Sequence, residues 1–267
     1  MNLEINNLKF NYKADSKVLD GVDLLVKDES TIAIVGISGC GKSTLLRLIA
    51  GITTKSKENL YEGVINIEGL SPVEYKKKGD TSIMFQNTKL LPNLDVSENI
   101  QVPLKIKHIK DPEKVNKLIK MVGLSGHEGK LPRDLSGGMI TRVGLARTFA
   151  PNSKLMLLDE PLSGLDVSHR SEMLVELEKL KSEFSTNIIY VTHDIEESLI
   201  ISNHIIVMSL SGKILKELII EKPLPRAIDK NSLKEIRKML PTEYDMIYDL
   251  IMADKAKYGD IKDYQEQ

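Results

Sequence analysis

Between the apolar run Thr31–Val35 and an amphipathic run containing Leu45, Leu46, Leu48 and Ile49, the chain reads Gly36-Ile37-Ser38-Gly39-Cys40-Gly41-Lys42-Ser43-Thr44. This is G-x-x-x-x-G-K-[ST] in the setting the motif requires, after a strand and at the opening of a helix. The glycines let successive backbone N–H groups turn inward around a phosphate, and the helix N-terminus adds a partial positive charge. Lys42 can then reach β- and γ-phosphates, and the Ser43 hydroxyl can coordinate Mg²⁺. The plain alternative is a Gly-rich surface turn before a helix. Average composition gives a chance match in such a chain odds of about one in a hundred, and the flanking pattern lowers them further. Cys40 lies inside the loop, where a helix N-terminus can acidify a thiol. Phosphate transfer needs no thiol, so Cys40 is read as a small loop residue.

The rest of the chain alternates strand-like and helix-like stretches. Leu3, Ile5, Leu8 and Phe10 partly alternate with polar residues, and residues 18–26 form a second strand-like stretch. Residues 64–67 and 82–85 are further strand candidates. From about 87 to 150 the pattern is helical. There Asp111 as N-cap and Pro112 at the first helical position precede Val115, Leu118, Ile119 and Val122. Strand and helix then alternate: 155–158, 173–180, 188–191, Ile195–Ile201 and 205–208. Short, almost wholly apolar strands separated by helices predict an α/β fold, a parallel sheet covered on both faces. Two more helices are expected after Pro225, at 232–240 and 242–256. In the second, Tyr244, Met246, Ile247, Leu250 and Ile251 form an apolar face, read as packing on its own domain or on a second copy.

Bulk properties narrow the function. The 37 Lys+Arg and 38 Asp+Glu nearly cancel, which argues against a general nucleic-acid binder. One cysteine allows no intrachain disulfide, as in a reducing compartment. The N-terminus does not read as a signal peptide. No apolar stretch approaches the roughly 18 to 20 residues that span a bilayer, so a role at a membrane has to come through a partner.

Two further motifs carry chemistry. Leu155-Met156-Leu157-Leu158-Asp159-Glu160 is an apolar strand ending in two carboxylates, with Pro161 closing it. Asp159 is placed to hold Mg²⁺, directly or through water. Glu160, one residue on, points elsewhere and suits a base for an attacking water. An isolated Asp-Glu at a strand end is commonly just solvated; beside a phosphate loop it gains meaning. Leu135-Ser136-Gly137-Gly138-Met139 opens a helix with Val143, Leu145, Ala146 and Phe149. On its own Ser136 reads as an N-cap; the alternative is a second anion site formed by a hydroxyl and two glycine amides.

With these three motifs the chain resembles the ATP-binding subunits of ABC transporters from about residue 3 to 220. The resemblance implies a P-loop NTPase (RecA-like) core with a parallel sheet, an N-terminal antiparallel β-subdomain and an inserted α-helical subdomain at about 87–150. It makes 1–225 the ATPase domain and 226–267 a C-terminal helical extension. ATP and Mg²⁺ are the implied cofactors. Tyr12 matches the residue that stacks on adenine. Gln86 matches the glutamine that touches Mg²⁺ and senses the membrane partner. Ser136, Gly137 and Gly138 match the signature that contacts the γ-phosphate in the opposite subunit. Asp166, in Ser163-Gly164-Leu165-Asp166, matches the loop along the dimer interface, and His193 the switch histidine. Asp194, Glu196 and Glu197 after it read as a solvated helix start. The implied unit is a head-to-tail dimer, two ATP molecules between two copies, docked on permease subunits at the cytoplasmic face of the membrane and served by a solute-binding protein. Met139, residues 90–94, 97–100 and 222–226 resemble the importers of nitrate, sulfonates and taurine. Ile140-Thr141, Leu162-Ser163-Gly164 and Asn203-His204 depart from that branch. A mechanoenzyme of cell division or lipoprotein release is the alternative; such chains usually end near the last strand.

Overall fold

A computed structural model describes residues 2–13, 17–27, 31–56, 59–184, 186–226, 229 and 231–263. Strands β1 (Leu3–Asn11), β2 (Lys17–Val26) and β4 (Leu60–Ile67) form an antiparallel sheet in the order β2-β1-β4. The second sheet takes β3 (Thr31–Val35), β5 (Thr81–Met84), β6 (Leu155–Asp159), β7 (Asn187–Thr192), β8 (His204–Met208) and β9 (Ile214–Ile219) in the order β5-β6-β7-β3-β8-β9. Its first five strands run parallel, and β9 closes the edge antiparallel to β8.

Alternation along the parallel strands feeds two cores. Ala33, Val35, Met156, Leu158, Ile205 and Val207 face one, and Ile32, Ile34, Leu155, Leu157, Ile206 and Met208 the other. The first core is covered by helices, the second by α1 (Lys42–Ile49) and the antiparallel sheet. A strand buried on both faces has no polar side, which is why these strands read as unbroken apolar runs. The expected two-sided parallel sheet is therefore present, and so is the antiparallel N-terminal sheet.

Residues 87–150 hold α3 (Val96–Ile106), α4 (Pro112–Met121), a 3₁₀ turn (Pro132–Asp134) and α5 (Gly137–Phe149). Asp95 and Glu98 make a reciprocal capping box at the start of α3. Asp111 accepts the Lys114 N–H at 2.9 Å, the cap expected of it. Asn99, fully buried, donates to the carbonyls of Leu91, Leu94 and Asp95 and accepts the Leu91 N–H, fixing the segment that leads into α3.

Two elements escaped the sequence. Helix α2 (Pro72–Lys77) has only six residues, and Ser71, Pro72 and Glu74 form its capping signature. Strand β9 exposes most of its side chains, so no apolar run marks it. The later helices are α6 (Val167–Glu183), α7 (Ile195–Ile201), α8 (Ser232–Met239) and α9 (Pro241–Asp263). Tyr244, Ile247 and Ile251 of α9 join the first core, so that face packs on its own chain, while Met246 is exposed.

Candidate nucleotide-binding site

The loop Gly36–Gly41 leaves the carboxyl end of β3, which lies between β7 and β8, and enters α1. Gly41 has φ +103°, and a Cβ there would stand 2.8 Å from the Val18 carbonyl oxygen. No L-residue fits such a position without moving backbone. Lys42 is buried, and its ammonium donates to the carbonyls of Gly36 (2.8 Å) and Ile37 (3.0 Å) from within the loop. Ser43 Oγ donates to Asp159 Oδ1 at 2.7 Å, joining the start of α1 to the end of β6. Burial raises the Asp159 pKa above the usual carboxylate value, and the Ser43 hydrogen bond opposes that rise. Thr44 Oγ1 lies 3.3 Å from Tyr12 Oη, and the Tyr12 ring stands edge-on to Phe10 at 4.9 Å. Tyr12 is thus beside the loop with 41% of its surface open. Cys40 is buried within the loop, with its sulfur 3.9 Å from Lys42 Nζ.

Glu160 gathers three other elements. Strand β6 ends at Asp159, and Glu160 turns into the left-handed region at φ +44°. Its N–H donates to Val191 O (2.9 Å), and its carbonyl accepts from Ser163 N (3.1 Å) and Ser163 Oγ (2.9 Å). Such a conformation costs roughly 1–3 kcal/mol in a non-glycine residue and persists where surrounding bonds hold it. It brings the carboxylate over the phosphate loop. Oε2 accepts from Gln86 Nε2 at 3.1 Å and lies 3.0 Å from His193 Nδ1; Oε1 is 3.9 Å from Lys42 Nζ. Glu160 is 8% exposed, so these contacts act in a poorly solvated setting.

Four of the expected site residues, Ser136, Gly137, Gly138 and Asp166, lie apart from this cluster. Ser136 accepts the Met139 N–H at 3.3 Å as the N-cap of α5, and nothing stands within 4 Å of where a Cβ would sit on Gly137 or Gly138. Asp166 caps α6 through Ser168 N (3.0 Å) and His169 N (3.2 Å), and lies 2.5 Å from His169 Nδ1. The His169 contact holds the exposed Asp166 carboxyl below its usual pKa.

Glu197 corrects the expectation of a solvated helix start. It is 4% exposed, and its Oε2 accepts from Tyr190 Oη and Thr192 Oγ1, both at 2.8 Å. Burial pushes its pKa up to about 7. Asp194 caps α7 through Glu197 N, as a helix start should, and Glu196 is half-buried. Arg170, which the sequence did not single out, donates to Asp194 Oδ2 (2.5 Å) and Leu165 O (3.3 Å), and its Nε lies 3.5 Å from Glu197 Oε1. One guanidinium therefore ties the loop before Asp166 to the residue after His193. The available signal was Tyr190 and Thr192, two hydroxyls on one face of a buried strand, which need a buried polar partner.

Comparisons with known proteins agree with this geometry. The family model described as ABC transporter matches residues 19–163. The aliphatic sulfonates import ATP-binding protein SsuB of Bacillus cereus is 38% identical over 232 residues, covering 86% of this chain and 89% of that protein. The spermidine/putrescine import ATP-binding protein PotA of Thermotoga maritima is 40% identical over 206 residues, and there the match spans only 54% of the relative. Among solved structures, the ATP-binding cassette MJ0796, a dimer in a post-hydrolysis state bound to ADP and Pi, superposes with a TM-score of 0.70 at 25% identity, covering 83% of this chain and all of that one. With the phosphate loop, the Asp159-Glu160 strand end and this likeness over most of its length, the chain belongs to the ABC transporter family, as one of its ATP-binding, ATP-hydrolysing subunits.

Proposed function

We propose that this chain hydrolyses ATP at Glu160 to drive import of a small solute through separate permease subunits. The observation that carries the reading is the Glu160 carboxylate, held by Gln86 and His193 on one oxygen and facing Lys42 with the other. In this reading Gly36–Thr44 cradle the phosphates, and Tyr12 stacks on the base. Lys42 draws the γ-phosphate toward Glu160, which takes a proton from the attacking water. His193 orients the γ-phosphate, and Gln86 reports the site's state to the membrane partner. Ser43 Oγ and Asp159 Oδ1 are oxygen donors of the kind Mg²⁺ takes, already side by side, with Gln86 nearby through Glu160. Held by Ser43, Asp159 and Gln86, Mg²⁺ would act as a Lewis acid on the phosphates and would offset the negative charge that develops during transfer.

The open faces of Gly137 and Gly138, together with the cap at Ser136 and the exposed Asp166, suit a second copy supplying the other wall of each site. Among the described residues no helix is long and apolar enough to cross a membrane, so permease subunits are the proposed membrane part, with the chain on their cytoplasmic face. The SsuB likeness and the Met139 and 222–226 segments favour an importer of sulfonate, nitrate or taurine type, fed by a solute-binding protein.

Glu160→Gln tests the chemistry. The variant is expected to bind ATP, lose turnover by about a thousandfold or more, and elute as a dimer with ATP. Wild-type-like hydrolysis would remove Glu160 from the role of base. For the solute, vesicles carrying the chain with its permease and binding protein should accumulate labelled taurine or an alkanesulfonate on adding ATP; ATP-driven release of lipoprotein instead would favour the mechanoenzyme.

A further inference from the structure

Asp254, on α9, is a carboxylate only 6% exposed, and no step of hydrolysis uses it. Its Oδ1 accepts from Ser209 Oγ at 2.5 Å, and its Oδ2 accepts the Leu210 N–H at 2.7 Å. Both donors lie in the turn between β8 and β9. The turn also closes on itself: Ser209 N donates to Lys213 O (2.8 Å) and Gly212 N to Ser209 O (2.9 Å). The C-terminal helix therefore holds this turn at two points, one hydroxyl and one backbone N–H.

The same turn is the floor of the phosphate loop. A Cβ on Gly36 would stand 2.6 Å from the carbonyl oxygen of Met208, the residue before the turn. A Cβ on Gly41 would stand 2.8 Å from Val18 O, and one on Gly212 of the turn would stand 2.3 Å from that same oxygen. Asp20 N donates to Gly212 O at 3.0 Å, and Lys213 Nζ lies 3.3 Å from Asp20 Oδ2. Two loop glycines thus approach backbone closely, Gly36 at Met208 just before the turn and Gly41 at Val18, which Gly212 of the turn also approaches; the Cys40 and Leu19 side chains complete those contacts. Tyr258, further along α9, packs partly buried on the apolar cluster that Val18 and Ile37 also join.

We infer that Asp254 is a positioning residue for the nucleotide: through the Ser209–Gly212 turn, the C-terminal helix sets the shape of the phosphate loop and hence its affinity for Mg-ATP. The inference rests on Gly36–Thr44 being the nucleotide loop. Close-packed backbone transmits displacement rather than damping it, and residues along such a route change coupling without touching the ligand. Glu160 itself is held by Val191, Ser163, Gln86 and His193, none of which lies in this turn.

The test is calorimetric titration of the full chain with Mg-ATP, beside turnover at saturating ATP. Asp254→Ala is expected to raise Kd roughly tenfold and to leave saturated turnover unchanged. Asp254→Asn, which keeps an acceptor for Leu210 N–H, should bind nearly as wild type, and Asp249→Ala, exposed on the same helix, should change nothing. An unchanged Kd in folded Asp254→Ala overturns the inference, as does lost turnover with Kd unaltered. If circular dichroism shows Asp254→Ala unfolded, Ser209→Ala decides by the same criterion: raised Kd supports, unaltered Kd overturns. Lys42→Ala separates the premise, because wild-type affinity in that variant would displace the nucleotide loop itself and not the role of Asp254.

Discussion

Gly36 has room for no other side chain, because the oxygen facing its missing Cβ, at 2.6 Å, belongs to backbone in β8. Gly36→Ala is expected to push the loop off its floor, destabilising the fold by about 1–3 kcal/mol and weakening ATP binding; thermal melts with and without Mg-ATP read both effects. Its need for glycine was legible, since the phosphate motif supplies a reason within nine residues of sequence. The partnership of Gln86 with Glu160 was not, because the two stand 74 residues apart and meet only through adjacent parallel strands. The left-handed backbone at Glu160 was equally hidden. Nothing local demands it; the bonds from Val191 and Ser163 impose it.

Helix α7 shows what an element owes to its surroundings. At seven residues it is too short to hold itself in water. Asp194 caps its start, and cations meet the carbonyls of its end: Arg226 donates to Leu199 O (2.5 Å) and Ser202 O (2.7 Å), and Lys181 to Ile201 O (2.9 Å). Arg226 is 2% exposed, and burial pushes its pKa down to about 10. Arg226→Met should therefore cost about 3 kcal/mol or more by leaving buried carbonyls unpaired, measurable by urea unfolding. Glu197 sits in the same helix with a folded pKa of about 7 against an ordinary 4.5. Its raised value makes the folded state hold a proton that the unfolded state has already lost, so its contribution is complete below about pH 4.5 and fades as pH rises to about 7. Glu197→Gln removes that component, and its melting temperature should fall less than that of wild type between pH 5 and pH 8. An equal fall in both would show that Glu197 ionises normally.

For the whole molecule, the proposed head-to-tail pairing makes each site a shared one. Lys42 Nζ lies 3.9 Å from Glu160 Oε1, while Ser136 caps α5 and nothing stands within 4 Å of where a Cβ would sit on Gly137 or Gly138. If two copies close head to tail, Lys42→Ala and Ser136→Arg subunits, each inactive alone, should regain hydrolysis when mixed, because one of the two sites in a mixed dimer is then intact. Absence of recovery in verified mixed dimers would count against the shared site.

Local patterns were enough to read the phosphate loop, the Asp159-Glu160 strand end, the doubly buried parallel strands and the helical stretch before residue 150. They are written in glycine spacing, apolar runs and caps. Tertiary structure alone decided which distant residues meet: Glu160 with Gln86, His193 and Lys42; Glu197 with the strand hydroxyls; Asp254 with the turn beneath Gly36. The antiparallel β9 and the six-residue α2 belong with these, being an exposed edge and a single capped turn. Hydrophobic periodicity records which face of an element is buried, but not which element lies against it, and chemistry at this site depends on the second.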